Sequence, residues 1–364
     1  MRKILLFICS FFFVAAVAQN RYSIVGEIVD CAENGDTLYL MSNMTDNPKV
    51  ESMAIIKEGG FHFAGTVSEP QFANIVTFSN NKIERRAELF IEKGVVSVKI
   101  GEQRQTADGT FLNNRLQQYK DSILPFNLIF EKYASKVARK DITPAALEEA
   151  QKVMLITSVA RAEFAEKYLR KNKDNLVALY ILRNNYELFS PAKGLELLSL
   201  LPLYMQEEPT AAKIKEYYKG VLQAAEGASF IDTRLSDPQG NIRSLSDYIA
   251  KGKIVVLNFW SSTNSASLKE QRMLALYEQK NSNRVTVIGL SLDTNISEWL
   301  KSIKENTLSS VQLTDAKGWS SAPLRLYGVN SNPYCIVIDA DGTILKRCST
   351  ASEALNFVNA VLNK

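Results

Sequence analysis

The stretch that most constrains the fold runs from Lys253 to Gln271 and reads KIVVLNFWSSTNSASLKEQ. An apolar run, Ile254–Leu257, leads into Asn258-Phe259-Trp260. A run of this kind is typical of a strand that is buried on both faces. A short polar turn follows, and then a segment that is able to start a helix. The stretch therefore predicts a buried strand, a tight turn and a helix in direct succession.

Length and composition limit the class of protein. A chain of 364 residues is too long for one typical domain and predicts two or three. The formal net charge of +4 gives no support for nucleic-acid binding or for a polybasic membrane patch. The chain has one histidine, His62, so the residues for a zinc site or a Ser-His-Asp triad are missing. No nucleotide fingerprint is present, and we predict no cofactor.

The N-terminus has the pattern of a secretory signal peptide over residues 1–18. Arg2-Lys3 is the basic region, Ile4–Val14 is the apolar region, and Ala16-Val17-Ala18 is an A-x-A cleavage site before Gln19. No later run is long and apolar enough to span a membrane. We therefore expect export, to the periplasm or cell envelope, with no integral membrane segment after cleavage.

Two different patterns follow the predicted signal peptide. Residues 19–108 alternate apolar and polar side chains between turn clusters and predict a small antiparallel β-sandwich or barrel, with His62 partly buried in a strand. Residues 109–224 read as helical. Within them, Leu147–Lys171 has apolar residues spaced as on one helical face, including Ile156 and Val159. Ser190-Pro191 has the form of an N-cap followed by proline at the first helical position.

Residues 225–364 continue from the strand–turn–helix stretch with further regular elements. Val285–Leu292 predicts a second buried strand, and Ile296–Glu305 an amphipathic helix. Two strands around Ala340-Asp341-Gly342 predict a hairpin, and Ala351–Leu362 a final helix. The order of these elements is β-α-β-α-β-β-α.

This order, the Phe259-Trp260 pair and the Asn332-Pro333-Tyr334 segment resemble thioredoxin-like envelope reductases of the TlpA/ResA kind. The β-rich and helical segments are similar to a domain of unknown function and a linker that precede such domains. The resemblance implies an α+β multidomain fold. Its parts are an N-terminal antiparallel β domain (19–108), a helical linker domain (109–224) and a thioredoxin-like α/β domain (225–364).

The resemblance also implies where redox chemistry would lie. In that family a Cys-x-x-Cys motif begins the helix, and the helix N-terminus lowers the pKa of the first thiol. Here the four positions read Asn264-Ser265-Ala266-Ser267, so both sulfurs are missing. Asn258 stands where thioredoxins keep a buried carboxylate, and a neutral amide cannot act as a base. Serine catalysis is excluded because this domain has no histidine to activate a hydroxyl.

Pro333 falls where the family carries a cis-proline, which leaves the preceding backbone free to pair with an extended peptide. The resemblance therefore implies a binding face for a protein or peptide partner, made by Trp260, Thr263 and Pro333. The alternative is that Pro333 persists only because the fold needs that turn.

Cys335 is the candidate substitute thiol, two residues after Pro333. It is either a reactive group near the degenerate dithiol or a small buried hydrophobe in a central strand. A two-residue hairpin turn would place Cys348 directly across from it, whereas a bulged turn would move Cys348 to the opposite face. The family's usual hairpin implies the bulged turn, and so no disulfide between them.

Three functions remain open from the sequence. The first is an exported thioredoxin-fold protein that binds a protein or peptide without dithiol catalysis. The second is a residual thiol-disulfide oxidoreductase or redox relay that uses Cys335, which requires a reactive thiol of lowered pKa. The third is an envelope ligand-binding protein that acts through its N-terminal β domain, for which no residue pattern names a ligand.

Overall fold

The structure is a computed structural model, and its contacts divide the chain into two compact units, Met1–Leu188 and Phe189–Lys364. The residues that it describes are 20–29, 35–42, 48–79, 82–102, 104–139, 141–249 and 251–363. The predicted signal peptide and Cys31 lie outside them. The division differs from the three-domain prediction, because the helical segment 109–224 is shared between the two units. Within the described residues, no helix is long and apolar enough to cross a membrane.

The first unit contains two four-stranded sheets, with strand orders β4-β1-β7-β8 and β3-β2-β5-β6. Side chains from both sheets form one hydrophobic core, which includes Ile24, Leu40, Phe63 and Val98. The predicted β-sandwich is therefore confirmed. The strands are β1 (Arg21–Ile28), β2 (Thr37–Ser42), β3 (Lys49–Ile55), β4 (Gly60–Thr66), β5 (Gln71–Ser79), β6 (Lys82–Ile91), β7 (Gly94–Ile100) and β8 (Gln105–Asp108).

Two details of this unit correct the sequence analysis. Strand β1 pairs with β7 in parallel, whereas all the other named pairs of these sheets are antiparallel. His62 is exposed rather than partly buried, since it lies on the outer face of β4, where its ring accepts from or donates to the hydroxyl of Ser23 at 2.9 Å.

Three helices complete the first unit. They are α1 (Phe111–Val137), α2 (Pro144–Lys171) and α3 (Leu176–Asn185). The predicted face of α2 is only partly present, because Ile156 and Val159 are exposed whereas the rings of Phe164 and Tyr168 pack against Tyr119. The buried positions of this helix are Ala150, Thr157, Ala165 and Leu169.

The second unit begins with the rest of the helical segment, α4 (Pro191–Ser199), α5 (Leu203–Gln206) and α6 (Pro209–Gln223). The predicted cap of α4 is confirmed, since the Ser190 side chain accepts from the backbone of Lys193.

A seven-stranded sheet with the order β10-β9-β13-β12-β11-β14-β15 forms the centre of this unit. Its strands are β9 (Arg234–Ser236), β10 (Ile242–Ser244), β11 (Ile254–Trp260), β12 (Val285–Ser291), β13 (Val311–Thr314), β14 (Tyr334–Ile338) and β15 (Ile344–Cys348). Its helices are α7 (Ser265–Lys280), α8 (Ile296–Glu305), α9 (Ala322–Tyr327) and α10 (Ala351–Leu362). Every residue of β11 is buried, and the predicted elements occur in the predicted order, with β13 and α9 added between α8 and β14.

The hairpin of β14 and β15 differs from the expectation. A register shift between Val337 and Ile338 restores the pairing that a two-residue turn would give, so Cys335 and Cys348 lie directly across from each other. Both are buried free thiols in one hydrophobic cluster with Val256. The expectation that Cys348 lies on the opposite face is wrong, because the register shift within the hairpin offsets the shift that the longer turn introduces.

Candidate functional site

The candidate site lies where β11 ends and α7 begins. Asn264 is the N-cap of α7, and its Oδ1 accepts from the backbone N–H of Ser267 at 3.1 Å. A helix N-terminus has unpaired N–H groups, and a thiolate at this place would be stabilised by them. Here a neutral amide oxygen takes one of those N–H groups instead.

The other end of the same amide reaches the cis-proline loop. Asn264 Nδ2 donates to Asn332 Oδ1 at 2.6 Å and to the Asn332 backbone oxygen at 3.2 Å. The Asn332–Pro333 peptide bond is cis, as the resemblance implied. One side chain thus joins the helix N-terminus to the residue whose backbone would pair with an extended peptide. The sequence analysis missed Asn332, although it precedes the proline that was singled out.

Ser267, at the position of the second sulfur, is completely buried. Its Oγ accepts from the backbone N–H of Ser261 at 3.1 Å and so fixes the start of the turn to the first turn of α7. Both degenerate dithiol positions therefore hold neutral groups that hydrogen-bond within the chain, and neither supplies an ionisable group at neutral pH.

Asp293 anchors the same turn from the neighbouring strand. This buried carboxylate accepts from the hydroxyls of Ser261 (2.8 Å), Ser262 (2.9 Å) and Ser291 (2.7 Å). It also accepts from the backbone N–H of Ser262 at 3.0 Å. The sequence analysis missed this residue. Its position in the sequence could have indicated it, because it comes just after β12 and the carboxyl ends of parallel strands meet at one edge of the sheet.

The predicted binding residues lie in different environments. Thr263 is exposed on the turn, and Pro333 is half-buried. The contact of Asn264 with Asn332 holds the loop of Pro333 beside the turn. Trp260 is 0% exposed and packs in a core cluster with Trp299 and Leu308. A partner cannot contact Trp260 in this conformation, so its assignment to the binding face is corrected. The alternation of side chains along β11 turns it inward.

Cys335 does not have the properties of a reactive thiol. It lies on β14 opposite Asn258 of β11, and its S–H donates to Asn258 Oδ1 at 3.3 Å. Burial, with a smaller contribution from the carboxylate of Glu270, raises the pKa of the Cys335 thiol well above its ordinary value. Burial likewise raises the pKa of Cys348 to about 12. A redox relay needs the opposite shift.

A buried polar network extends from Asn258 across the sheet. Its Nδ2 donates to Gln271 Oε1 at 2.6 Å, and Gln271 Nε2 donates to Ser310 Oγ at 3.2 Å. Gln312 Nε2 donates to the same hydroxyl at 2.8 Å. The position that carries a proton-transfer carboxylate in the family is here one member of a neutral network, which can position the strands and α7 but cannot accept a proton at neutral pH.

The described residues contain no group of three or more His, Cys, Asp or Glu side chains placed to hold a metal ion. The two dithiol positions of this turn are thus uncharged, and at its edge Thr263 is exposed and Pro333 half-buried.

Comparison with known families agrees with this fold. Residues 227–347 match the AhpC/TSA family, whose domains have the thioredoxin fold, and residues 22–116 match a domain of unknown function, DUF4369. The C-terminal part of the chain thus has the thioredoxin-like fold that the resemblance implied. The β-rich part is similar to the DUF4369 domain, which agrees with the domain of unknown function that the resemblance implied.

Solved structures are similar over the C-terminal domain. The thioredoxin domain of a thiol-disulfide oxidoreductase from Bacteroides vulgatus is 28% identical over 38% of this chain and 97% of its own, with a TM-score of 0.34. A thiol:disulfide interchange protein from a Bacteroides species is 27% identical over 39% of this chain and 93% of its own, with a TM-score of 0.35. No curated protein matches the chain.

Proposed function

We propose that the chain is an exported thioredoxin-fold protein that binds a protein or extended peptide and does not perform dithiol exchange. The binding surface would be the cis-proline face, defined here as Thr263, Asn332 and Pro333. Asn264 stands where a dithiol enzyme has its attacking sulfur. The observation that carries the proposal is its pair of contacts, since it caps α7 and also holds Asn332.

The absence of an ionisable group at the two dithiol positions supports a binding role. Dithiol exchange needs a thiolate, and positions 264 and 267 carry an amide and a hydroxyl. The scaffold around them is intact, since Asp293 and Ser267 fix the turn and the cis-proline loop is in place. A peptide that pairs with the Asn332 backbone has to compete only with the longer bond from Asn264, at 3.2 Å, because the shorter bond goes to the Asn332 side chain.

A reductase assay tests the non-catalytic half of the proposal. The chain from residue 19 onward, reduced beforehand, is expected to reduce a model peptide disulfide no faster than free cysteine at the same thiol concentration. Reduction at a rate comparable to that of a dithiol reductase would overturn the proposal.

A site-specific photo-crosslink tests the binding half. A photoreactive residue replaces the exposed Thr263 in the producing cell, and crosslinked peptides are identified by mass spectrometry. The control is the exposed Ala360 on α10. We expect partner peptides at position 263 and none of them at position 360. Equal capture at both positions, or none at position 263, contradicts the assigned face. N-terminal sequencing of the same protein tests export, with Gln19 as the expected first residue.

A further inference from the structure

A second candidate site lies in the first unit, apart from the thioredoxin fold. A cleft of about 450 Å³ opens between strands β6 and β8 and helices α1, α2 and α3. That volume is in the range of small-molecule sites. Its lining is mainly polar and charged, and four of the lining side chains are cations: Arg86, Arg104, Lys120 and Arg161.

One half-buried carboxylate contacts three cations, of which Arg86 and Lys120 line the cleft. Glu88 contacts the guanidinium of Arg86 at 2.9 Å, the ammonium of Lys120 at 3.6 Å and the guanidinium of Arg183 at 3.6 Å. Its other oxygen accepts from the hydroxyl of Tyr180 at 2.6 Å. Because one negative charge faces three positive ones, this wall of the cleft keeps an excess of positive charge in a partly desolvated place.

Lys120 is the most enclosed of these cations. Burial lowers the pKa of its ammonium group; Glu88 opposes this shift, and the charges of Arg86 and Arg183 add to it. Only 22% of the Lys120 side chain is exposed. An added anion would therefore find a cation that is incompletely neutralised and needs little further desolvation.

Arg161 of α2 supplies a further positive charge to the lining of the cleft. Its guanidinium donates to Asn185 Oδ1 at 3.1 Å and to the Asn184 backbone oxygen at 3.4 Å, both neutral acceptors. The structure gives it no carboxylate partner among the residues that it describes. Arg104 differs, because it is paired with Asp121 at 2.8 Å.

An unpartnered polar atom also lines the cleft. The buried Oδ1 of Asn127 has no hydrogen-bond partner within the described part of the chain. A buried acceptor without a partner is unfavourable, and a ligand group that donates to it would relieve this cost.

We propose that this cleft binds a small molecule that carries an oxyanion, either carboxylate or phosphate, held by Arg161, Lys120 and Arg86. A hydroxyl group of the same ligand would donate to Asn127. The proposal is independent of the function assigned to the thioredoxin fold, and it gives the first unit a ligand class that the sequence did not name.

Thermal unfolding and titration calorimetry of the whole chain test the proposal, with citrate and inorganic phosphate as probes. Sodium chloride at equal ionic strength and the neutral polyol glycerol are the controls. We expect at least one of the two anions to raise the unfolding temperature beyond the chloride control and to bind saturably, because a ligand that binds only the native state stabilises it. Citrate alone would indicate a carboxylate ligand, and phosphate alone a phosphate ligand.

Three variants locate the effect. Arg161→Gln is expected to weaken anion binding at least tenfold, and Arg161→Lys to keep most of it. Arg139→Gln removes an exposed arginine that is paired with Asp141 and does not line the cleft, so it should leave binding unchanged. Equal effects of Arg161→Gln and Arg139→Gln, or no stabilisation by either anion beyond chloride, would overturn the assignment. Unaltered circular dichroism of the variants shows that each one is folded.

Discussion

At the scale of single residues, the two described cysteines decide between a redox and a structural role. Both thiols are buried in one cluster and both have raised pKa values, that of Cys348 to about 12. At pH 8 a thiol of that pKa is about 0.01% ionised, compared with about a quarter for a free cysteine of pKa ~8.5. The thiolate is the reacting form, so burial and the raised pKa both lower the reactivity of these two thiols.

We therefore predict that neither thiol reacts quickly in the native protein. In a Cys31→Ser background, a thiol reagent should label Cys335 and Cys348 only after denaturation. Any native labelling should rise with pH, without a plateau, up to pH 9.5. A native thiol whose labelling rate reaches a plateau below pH 8.5, and which is lost in Cys335→Ser, would restore the redox-relay hypothesis.

Asn264 gives the second prediction at this scale. Asn264→Ala removes the cap and the contact with Asn332, and it should lower the free energy of unfolding by about 1–2 kcal/mol. Asn264→Asp keeps an acceptor for Ser267, but its carboxylate would face two acceptor oxygens of Asn332.

Urea unfolding of the two Asn264 variants separates the cap from the contact. We expect Asn264→Asp to be less stable than the unaltered chain at pH 7 in spite of its favourable charge at the helix N-terminus. Stability equal to that of the unaltered chain would mean that the Asn332 contact contributes nothing. Ser265→Ala, at the exposed neighbouring position, is the control and should change stability by less than about 0.5 kcal/mol.

At the scale of elements, the β11–α7 turn retains the form of a dithiol site without the sulfurs. The N-terminus of α7 still offers its N–H groups and dipole, and Ser267 lies buried one turn into the helix. These features lower a thiol's pKa irrespective of which residues precede them.

Restoring both sulfurs should therefore restore chemistry. The double variant Asn264→Cys/Ser267→Cys is expected to reduce a model disulfide well above the background rate. Its two thiols become one internal disulfide while two electrons reduce the substrate to two thiols. Asn264→Cys alone should form a mixed disulfide and stop, and Asn264→Ser/Ser267→Ala should stay inactive. A double variant that forms its internal disulfide yet has no activity would mean that the face no longer admits a substrate.

At the scale of the molecule, the C-terminal unit includes helices that precede the matched thioredoxin-fold residues. Helix α6 meets α9 at Gly220 and Gly328. A Cβ at position 220 would lie 2.0 Å from the Arg325 backbone oxygen and 2.6 Å from the Gly328 nitrogen. Since these are backbone atoms, no change of rotamer can relieve the contact.

We predict that Gly220→Ala destabilises the protein by about 2 kcal/mol or more, although alanine favours a helix over glycine by about 1 kcal/mol. Thermal unfolding measures the effect, with Lys219→Ala, at the exposed adjacent residue, as the control. An increase in stability for Gly220→Ala would show that α6 is free to move away from α9, and that the thioredoxin fold does not depend on it.

The sequence by itself determined the elements that periodicity and local chemistry control. The buried strand β11, the helix Ile296–Glu305 and the cap at Ser190 follow from patterns a few residues long, because they depend on near neighbours in the chain. The absence of sulfur at positions 264 and 267 is likewise a fact of sequence. Strand β3 exposes Met53 and Ile55, so an apolar pattern does not by itself show which side chains of a strand are buried.

Only the tertiary structure decided the properties that depend on distant residues. It buried Trp260 against Trp299, placed Cys348 across from Cys335 through a bulge, and joined Asn264 to Asn332. It also brought cations from β6, α1 and α2 around one cleft. These partners lie far apart in the chain, and packing and register select them, so no local pattern contains them.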